Sequence, residues 1–123
     1  MKRQNGVVLS GRLSEPRVVR IDWEDQSGVY ALATLITDHQ AYGGHHCVLF
    51  PDMFARDVMA YWQLTGGHLE VTVEGWLRSM ARHDDLPAAV VIVDRVIYLT
   101  VTDAMRAQVA RRKALRTADR GQG

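Results

Sequence analysis

CVLFPDMFARDVMAYWQLTGGHLEVTVEGWLRS, residues 47 to 79, changes its periodicity twice. The stretch His45 to Phe50 reads as a strand that runs into Pro51. There the period lengthens: Ala55, Val58, Met59 and Trp62 stand at i, i+3, i+4 and i+7, the spacing of one buried helix stripe. Pro51 suits the start of a helix, Asp52 can help cap it, and Gly66-Gly67 ends it. From His68 to Ser79 the period returns to two. Val71, Val73, Gly75 and Leu77 share one face, and Thr72, Glu74, Trp76 and Arg78 share the other. The segment is therefore strand, helix, strand. It carries a large aromatic, Trp76, between a carboxylate and a guanidinium on the face that should meet water.

Three more strands surround it. The first covers Gly6 to Leu13 and continues past Pro16 through residues 17 to 22, a proline being tolerated at an edge or bend. DWEDQSG then reads as a turn in which Gly28 can take a positive φ. The second strand is Val29 to Thr37, and HQAYGG is the loop after it. Beyond Ser79, MARHDDLP is a loop and Ala89 to Leu99 the last strand. Thr102 or Asp103 caps a final basic helix that frays into RGQG. The order β-β-β-α-β-β, with one helix between strands three and four, is that of a mainly β, five-stranded OB-fold barrel, a surface that commonly binds oligonucleotides or oligosaccharides. The expected division is an OB-fold domain over residues 1–103 and a basic C-terminal helix or tail over 104–123.

Composition narrows the function classes. A chain of 123 residues, about half hydrophobic and a quarter charged, buries one core without staples. Cys47 is the only cysteine, which leaves no intramolecular disulfide and suits a reducing cytoplasm. The longest apolar run, Ala88 to Val93, is far below the roughly 20 residues of a membrane span. The stretch after Met1-Lys2-Arg3 is broken at Ser10 and Arg12, unlike a signal peptide. The net charge of +1 hides an asymmetry. Residues 104–123 hold six bases against Asp119, a net +5, on a body of net −4. That basic segment can bind phosphates, dock on the acidic body, or remain a solvated end.

Catalytic chemistry is not expected. His45 and Cys47 share a strand face, but with His39 and His46 they lack a second pair at ligand spacing, so no metal is called for. No nucleophile with its base, phosphate-cradling glycine loop or paired catalytic carboxylate is present, and no cofactor is expected.

The chain resembles the bacterial single-stranded DNA-binding protein family. NGVVLSGRLSEPRVV is similar to that family's opening strand, YALATLIT to its second, and the run from Cys47 to Ser79 to its third strand, helix and fourth strand. VEGWLRS, Val73 to Ser79, is close to the family's Val-Glu-Gly-x-Leu-Arg-Thr, and AVVIVDRVIYL fits its last strand. The resemblance spans about residues 5 to 101. It implies a homo-oligomer, tetramer or dimer, of OB domains that wrap single strands, aromatics stacking on bases and basic side chains on phosphates.

On that resemblance Phe50 holds a stacking position, His46 a basic one and Arg78 the family arginine. Gly44, Asp38 and the neighbourhood of Arg82 stand where better-known members carry tryptophans, and a basic segment stands where the family has an acidic tip. Trp76 shares Arg78's face and is placed to take over stacking. Its alternatives are packing in a subunit interface or under the basic helix. Tyr42 is a loop candidate for stacking; Trp23 reads as a loop anchor, Trp62 as core and Tyr98 as interface or core.

The expected nucleic-acid set is thus Phe50, Trp76 and Tyr42 for stacking, with Arg12, His46, Arg78, Arg82, Arg111 and Arg112 for phosphates. The expected function is sequence-tolerant single-stranded DNA binding, without catalysis, in replication, recombination or repair, in the cytoplasm at the nucleoid. The competing reading is an oligomeric interaction module that contacts replication proteins and binds DNA weakly.

Overall fold

The computed structural model describes residues 6–22, 27–37, 44–79 and 89–122, with side chains through Thr117. In order these form β1 (Gly6–Asp22), β2 (Ser27–Thr37), β3 (Gly44–Pro51), α1 (Asp52–Leu64), β4 (Glu70–Ser79), β5 (Ala89–Tyr98) and α2 (Asp103–Gln122). The strands close into a barrel in the order β1-β2-β3-β5-β4.

One long strand makes the closure possible. The first half of β1, Gly6 to Arg12, pairs antiparallel with β4, and its second half, Arg12 to Asp22, pairs with β2. Arg12 sits at the crossing, opposite both Glu70 and Ile36. The bend is built at Pro16, as the sequence suggests. The register slips between Ser14 and Arg17, Glu15 takes a φ of 51°, and the proline, which has no N–H to give the ladder, is buried. The ring closes through a short parallel contact, Val48 with Val91 and Leu49 with Ile92.

Alternation fills the interior. Leu13, Ala31, Leu35, Val48, Phe50, Val71, Val73, Val91 and Val93 point inward and are almost fully buried. Ala31 faces Phe50 across β2 and β3, so a methyl group makes room for the largest inward ring. α1 covers this core with Ala55, Val58 and Tyr61. Two of the four positions of the expected stripe, Ala55 and Val58, are buried; Met59 and Trp62 are half-buried, and Tyr61, outside that stripe, is buried in their stead. Pro51 takes the N-cap position and no side chain bonds to the helix start there, so Asp52 does not cap through its carboxylate. Gly66 and Gly67, at φ 64° and 85°, end the helix in the left-handed region that glycine adopts without strain.

Leu77 departs from the expected inward face. It continues the row of Val71 and Val73 one residue beyond the described pairing of β4 with β1, which ends at Gly6 and Trp76, and is exposed. The bulge between Glu74 and Gly75 explains the glycine: a Cβ there would run into the Ile92 carbonyl oxygen.

α2 does not fray at residue 120; its backbone stays helical through Gln122. Thr102 opens it, its Oγ1 accepting from the Met105 N–H at 3.2 Å. Val109 is buried in the barrel core cluster, and Lys113 Nζ lies 2.8 Å from an Asp57 carboxylate oxygen on α1. Of the three readings of the basic segment, docking on the chain's own body describes this contact. Among the described residues, no helix is long and apolar enough to cross a membrane.

Candidate nucleic-acid interface

The outer side of the barrel carries a second apolar layer. Following strand partners around the ring, Trp76 faces Ile92, Ile92 faces Leu49, and Leu49 faces Leu32. This stripe crosses four strands on the face opposite Phe50. Ile21, Tyr30 and Val90 join it, with Val19, Cys47 and Trp76 packed against it. Leu49 and Val90 are almost completely buried, whereas Trp76 at the end of the stripe is half-buried.

Two local features hold the indole. Its other strand neighbour is Gly6, which brings no side chain to the spot. Arg78, two residues on and on the same face, places its guanidinium carbon 5.8 Å from the ring centroid, within cation–π range. A seated aromatic with a cation beside it offers a flat surface for a base and a positive charge for the adjoining phosphate. The packing of Trp76 is with the outer cluster, whereas α2 contributes Val109 and Met105 to the inner one. The indole is therefore not buried under the basic helix.

Phe50 requires a correction. It is 0% exposed and lies in the inner cluster, so the structure does not present it as a stacking surface. Parity did place His46 on the same side as Phe50, but that side is the interior. His46 faces the buried Leu35 and its Nε2 lies 3.4 Å from Thr37 Oγ1, near the open end of the barrel.

Arg12 is exposed on the outer face, opposite Glu70. It stands six positions along β1 from Gly6, the partner of Trp76, about 20 Å away on the strand, so the two are not brought together. Arg111 and Arg112 are exposed on α2, and Arg112 with Arg116 lines a cleft between the helices and the β1–β2 hairpin. Tyr42, Arg82, Asp38 and Trp23 lie outside the described residues. Of the expected set, Trp76 and Arg78 alone are seen to meet.

The outer stripe escaped the sequence reading, though a signal for it was present. Val48-Leu49-Phe50 and Val90-Val91-Ile92-Val93 are unbroken apolar runs, the mark of strands buried on both faces. Alternation identifies one buried face; only an uninterrupted run announces two.

Burial also acts on two titratable groups. It pushes the Cys47 thiol up, opposed in part by the Arg17 guanidinium. It pushes the Tyr98 phenol up more strongly, helped by Asp57 and Tyr61 and opposed by Arg106. Tyr98 packs on Tyr61 with ring centroids 4.7 Å apart and planes tilted by 60°, and its buried hydroxyl has no hydrogen-bond partner among the described residues.

No protein-family model and no curated protein sequence matches the chain. Solved structures do. A Plasmodium falciparum single-stranded DNA-binding protein, in a structure of its complex with single-stranded DNA, aligns with a TM-score of 0.54 at 19% identity, over 80% of this chain and 97% of that one. A small single-stranded DNA-binding protein from Streptomyces coelicolor aligns at 0.49 with 13% identity, covering 81% and 97% of the two chains. A mitochondrial single-stranded DNA-binding protein from S. cerevisiae aligns at 0.48 with 7% identity, covering 76% and 92%. The closed five-stranded sheet described above is thus a fold that this chain shares with the Plasmodium protein.

Proposed function

We propose that this OB-fold chain is a sequence-tolerant single-stranded DNA-binding protein without catalytic activity, acting in replication, recombination or repair. The observation that carries the reading is Trp76 at the end of the outer apolar stripe with the Arg78 guanidinium 5.8 Å from its ring. The indole stacks on a base and Arg78 takes the neighbouring phosphate. Arg12 and Arg111, both exposed, are further phosphate contacts. The fold shared with a protein held in complex with single-stranded DNA supports the same reading.

A titration of tryptophan fluorescence with oligo(dT) at two salt concentrations tests it. Binding quenches the emission and weakens as salt rises. Trp76→Ala weakens binding by about 1–3 kcal/mol with an unchanged salt slope. Arg78→Ala lowers that slope by about 0.7, the value of one phosphate contact on a single strand. Oligo(dT) that leaves the fluorescence and anisotropy unmoved at low salt would end the proposal.

A second observation bears on assembly. Val8 on β1, Ile97 on β5 and Leu99 just past its end are 65%, 42% and 56% exposed. Among the described residues, Gly6 to Gly11 of β1 pair with β4 alone. Exposed aliphatic side chains set among Ser10, Thr72 and Glu74, beside a half-paired strand, suit a second copy of the chain, so we read the protein as a dimer or tetramer. Light scattering at tens of micromolar should show the oligomer, and Val8→Glu with Ile97→Glu should dissolve it. If the oligomer persists in wild type while oligo(dT) binding is absent, the interaction-module reading takes the place of the first.

A further inference from the structure

The β1–β2 hairpin has two faces, and the one turned away from Trp76 borders a cleft. Val19, Ile21, Tyr30 and Leu32 pack in the outer layer; Val18 and Val29, alternating with them, face α1 and α2 instead. The space between hairpin and helices measures about 670 Å³. Its floor is aliphatic, with Val18 60% exposed and Met59 half-buried. Its rim carries Arg56 from α1 and Arg112 and Arg116 from α2, all three exposed. Among the described residues, Asp52 is the single carboxylate in the lining, against the three guanidinium groups.

This combination selects its ligand by chemistry. No aromatic ring lines the cleft among the described residues, so the flat platform that base stacking uses is missing. An aliphatic slot of this size accepts branched or aromatic side chains, and guanidinium forks grip carboxylates in bidentate pairs. We propose that the cleft docks an acidic, apolar segment of a partner protein, one in which leucine or phenylalanine side chains stand between aspartates or glutamates. The apolar side chains enter over Val18 and Met59 while the carboxylates meet Arg56, Arg112 and Arg116. Docking on this face leaves Trp76 and Arg78 on β4 clear, so the chain can hold a protein in the cleft and a nucleic acid on the outer face of the barrel.

Fluorescence anisotropy on the full chain tests this with a short labelled peptide that alternates leucine and phenylalanine with aspartate. The peptide should bind, and binding should weaken by about tenfold or more both in Val18→Asp and in Arg56→Glu with Arg116→Glu. These side chains are exposed, so the variants keep their fold, which their denaturation midpoints check. Oligo(dT) affinity should stay at the wild-type value in both. The proposal falls if the peptide does not bind, if variants bind it as wild type does, or if a lysine-for-aspartate peptide binds equally well. It also falls if oligo(dT) displaces the peptide and the charge reversals weaken oligo(dT) instead, because the cleft is then a nucleic-acid groove. Since the peptide and oligo(dT) are read separately, failure of one assay leaves the other standing.

Discussion

Phe50 and Trp76 are both aromatic, both on barrel strands and both plausible platforms for a base, yet the fold treats them oppositely. Phe50 points into the barrel beside Val48 and against Ala31, without any exposure. Trp76 points out, across from Gly6 and Ile92, half-buried with a guanidinium beside it. A period of two says which residues share a face and is silent on which face is the core. On β4 the question answers itself, because valines alternate with polar residues. On β3 both faces are apolar, Leu49 on one and Phe50 on the other, and nothing local distinguishes them.

The contrast is broken most directly by truncation. Phe50→Ala should cost about 3–5 kcal/mol of stability, the usual penalty for emptying a buried aromatic site. That is a large share of the roughly 5–15 kcal/mol that holds a domain of this size together. Urea melts followed by circular dichroism measure it. Trp76→Ala should move the midpoint distinctly less, since its ring is only half-buried, while carrying the loss of oligo(dT) binding. Equal shifts of midpoint would make Trp76 a core residue and remove the basis for stacking.

Much of this architecture is legible in the chain itself. The double change of period between residues 47 and 79 places α1 between β3 and β4, and Pro16 marks the bend that lets β1 serve two neighbours. Trp76 stands out because a ring interrupts a polar face. Three things were not legible. Phe50's side depends on barrel closure, which is set by partners more than 40 residues away in sequence at β5 and by no local pattern. The docking of α2 depends on Val109 and on the Lys113–Asp57 pair, which join segments distant in sequence. The basic-rimmed cleft combines residues from two strands and two helices, and no window of sequence contains it.

Gly75 sharpens the comparison because it touches both regions. Its missing side chain lets β4 approach the Ile92 carbonyl at the bulge, on the inner row, while its neighbour Trp76 occupies the outer one. Gly75→Ala forces backbone against backbone and should cost about 1–3 kcal/mol of stability. Because the displaced strand carries Trp76 with it, oligo(dT) affinity should fall in the same variant. A variant that is destabilised but binds normally would show that the indole's position does not depend on the bulge.

The smallest effect belongs to Tyr98, a half-buried ring packed against the inner cluster whose buried hydroxyl has no hydrogen-bond partner among the described residues. Tyr98→Phe keeps the ring packed on Tyr61 and removes the orphaned donor, so at neutral pH it should be neutral or stabilising by up to about 1 kcal/mol. Its pH dependence is more telling. Burial, with Asp57 and Tyr61 adding to it, raises the phenol's pKa in the folded state above its unfolded value. Below about pH 10 both states keep the proton and the group contributes no slope. As pH rises further, the unfolded chain releases a proton that the folded chain retains, and the fold loses stability. Tyr98→Phe lacks this term, so its advantage over wild type should widen with each step above that pH in urea melts. An advantage that stays constant across the alkaline range would mean that the hydroxyl reaches water in solution, and that the inner layer around Tyr61 opens there more readily than the packing around Phe50.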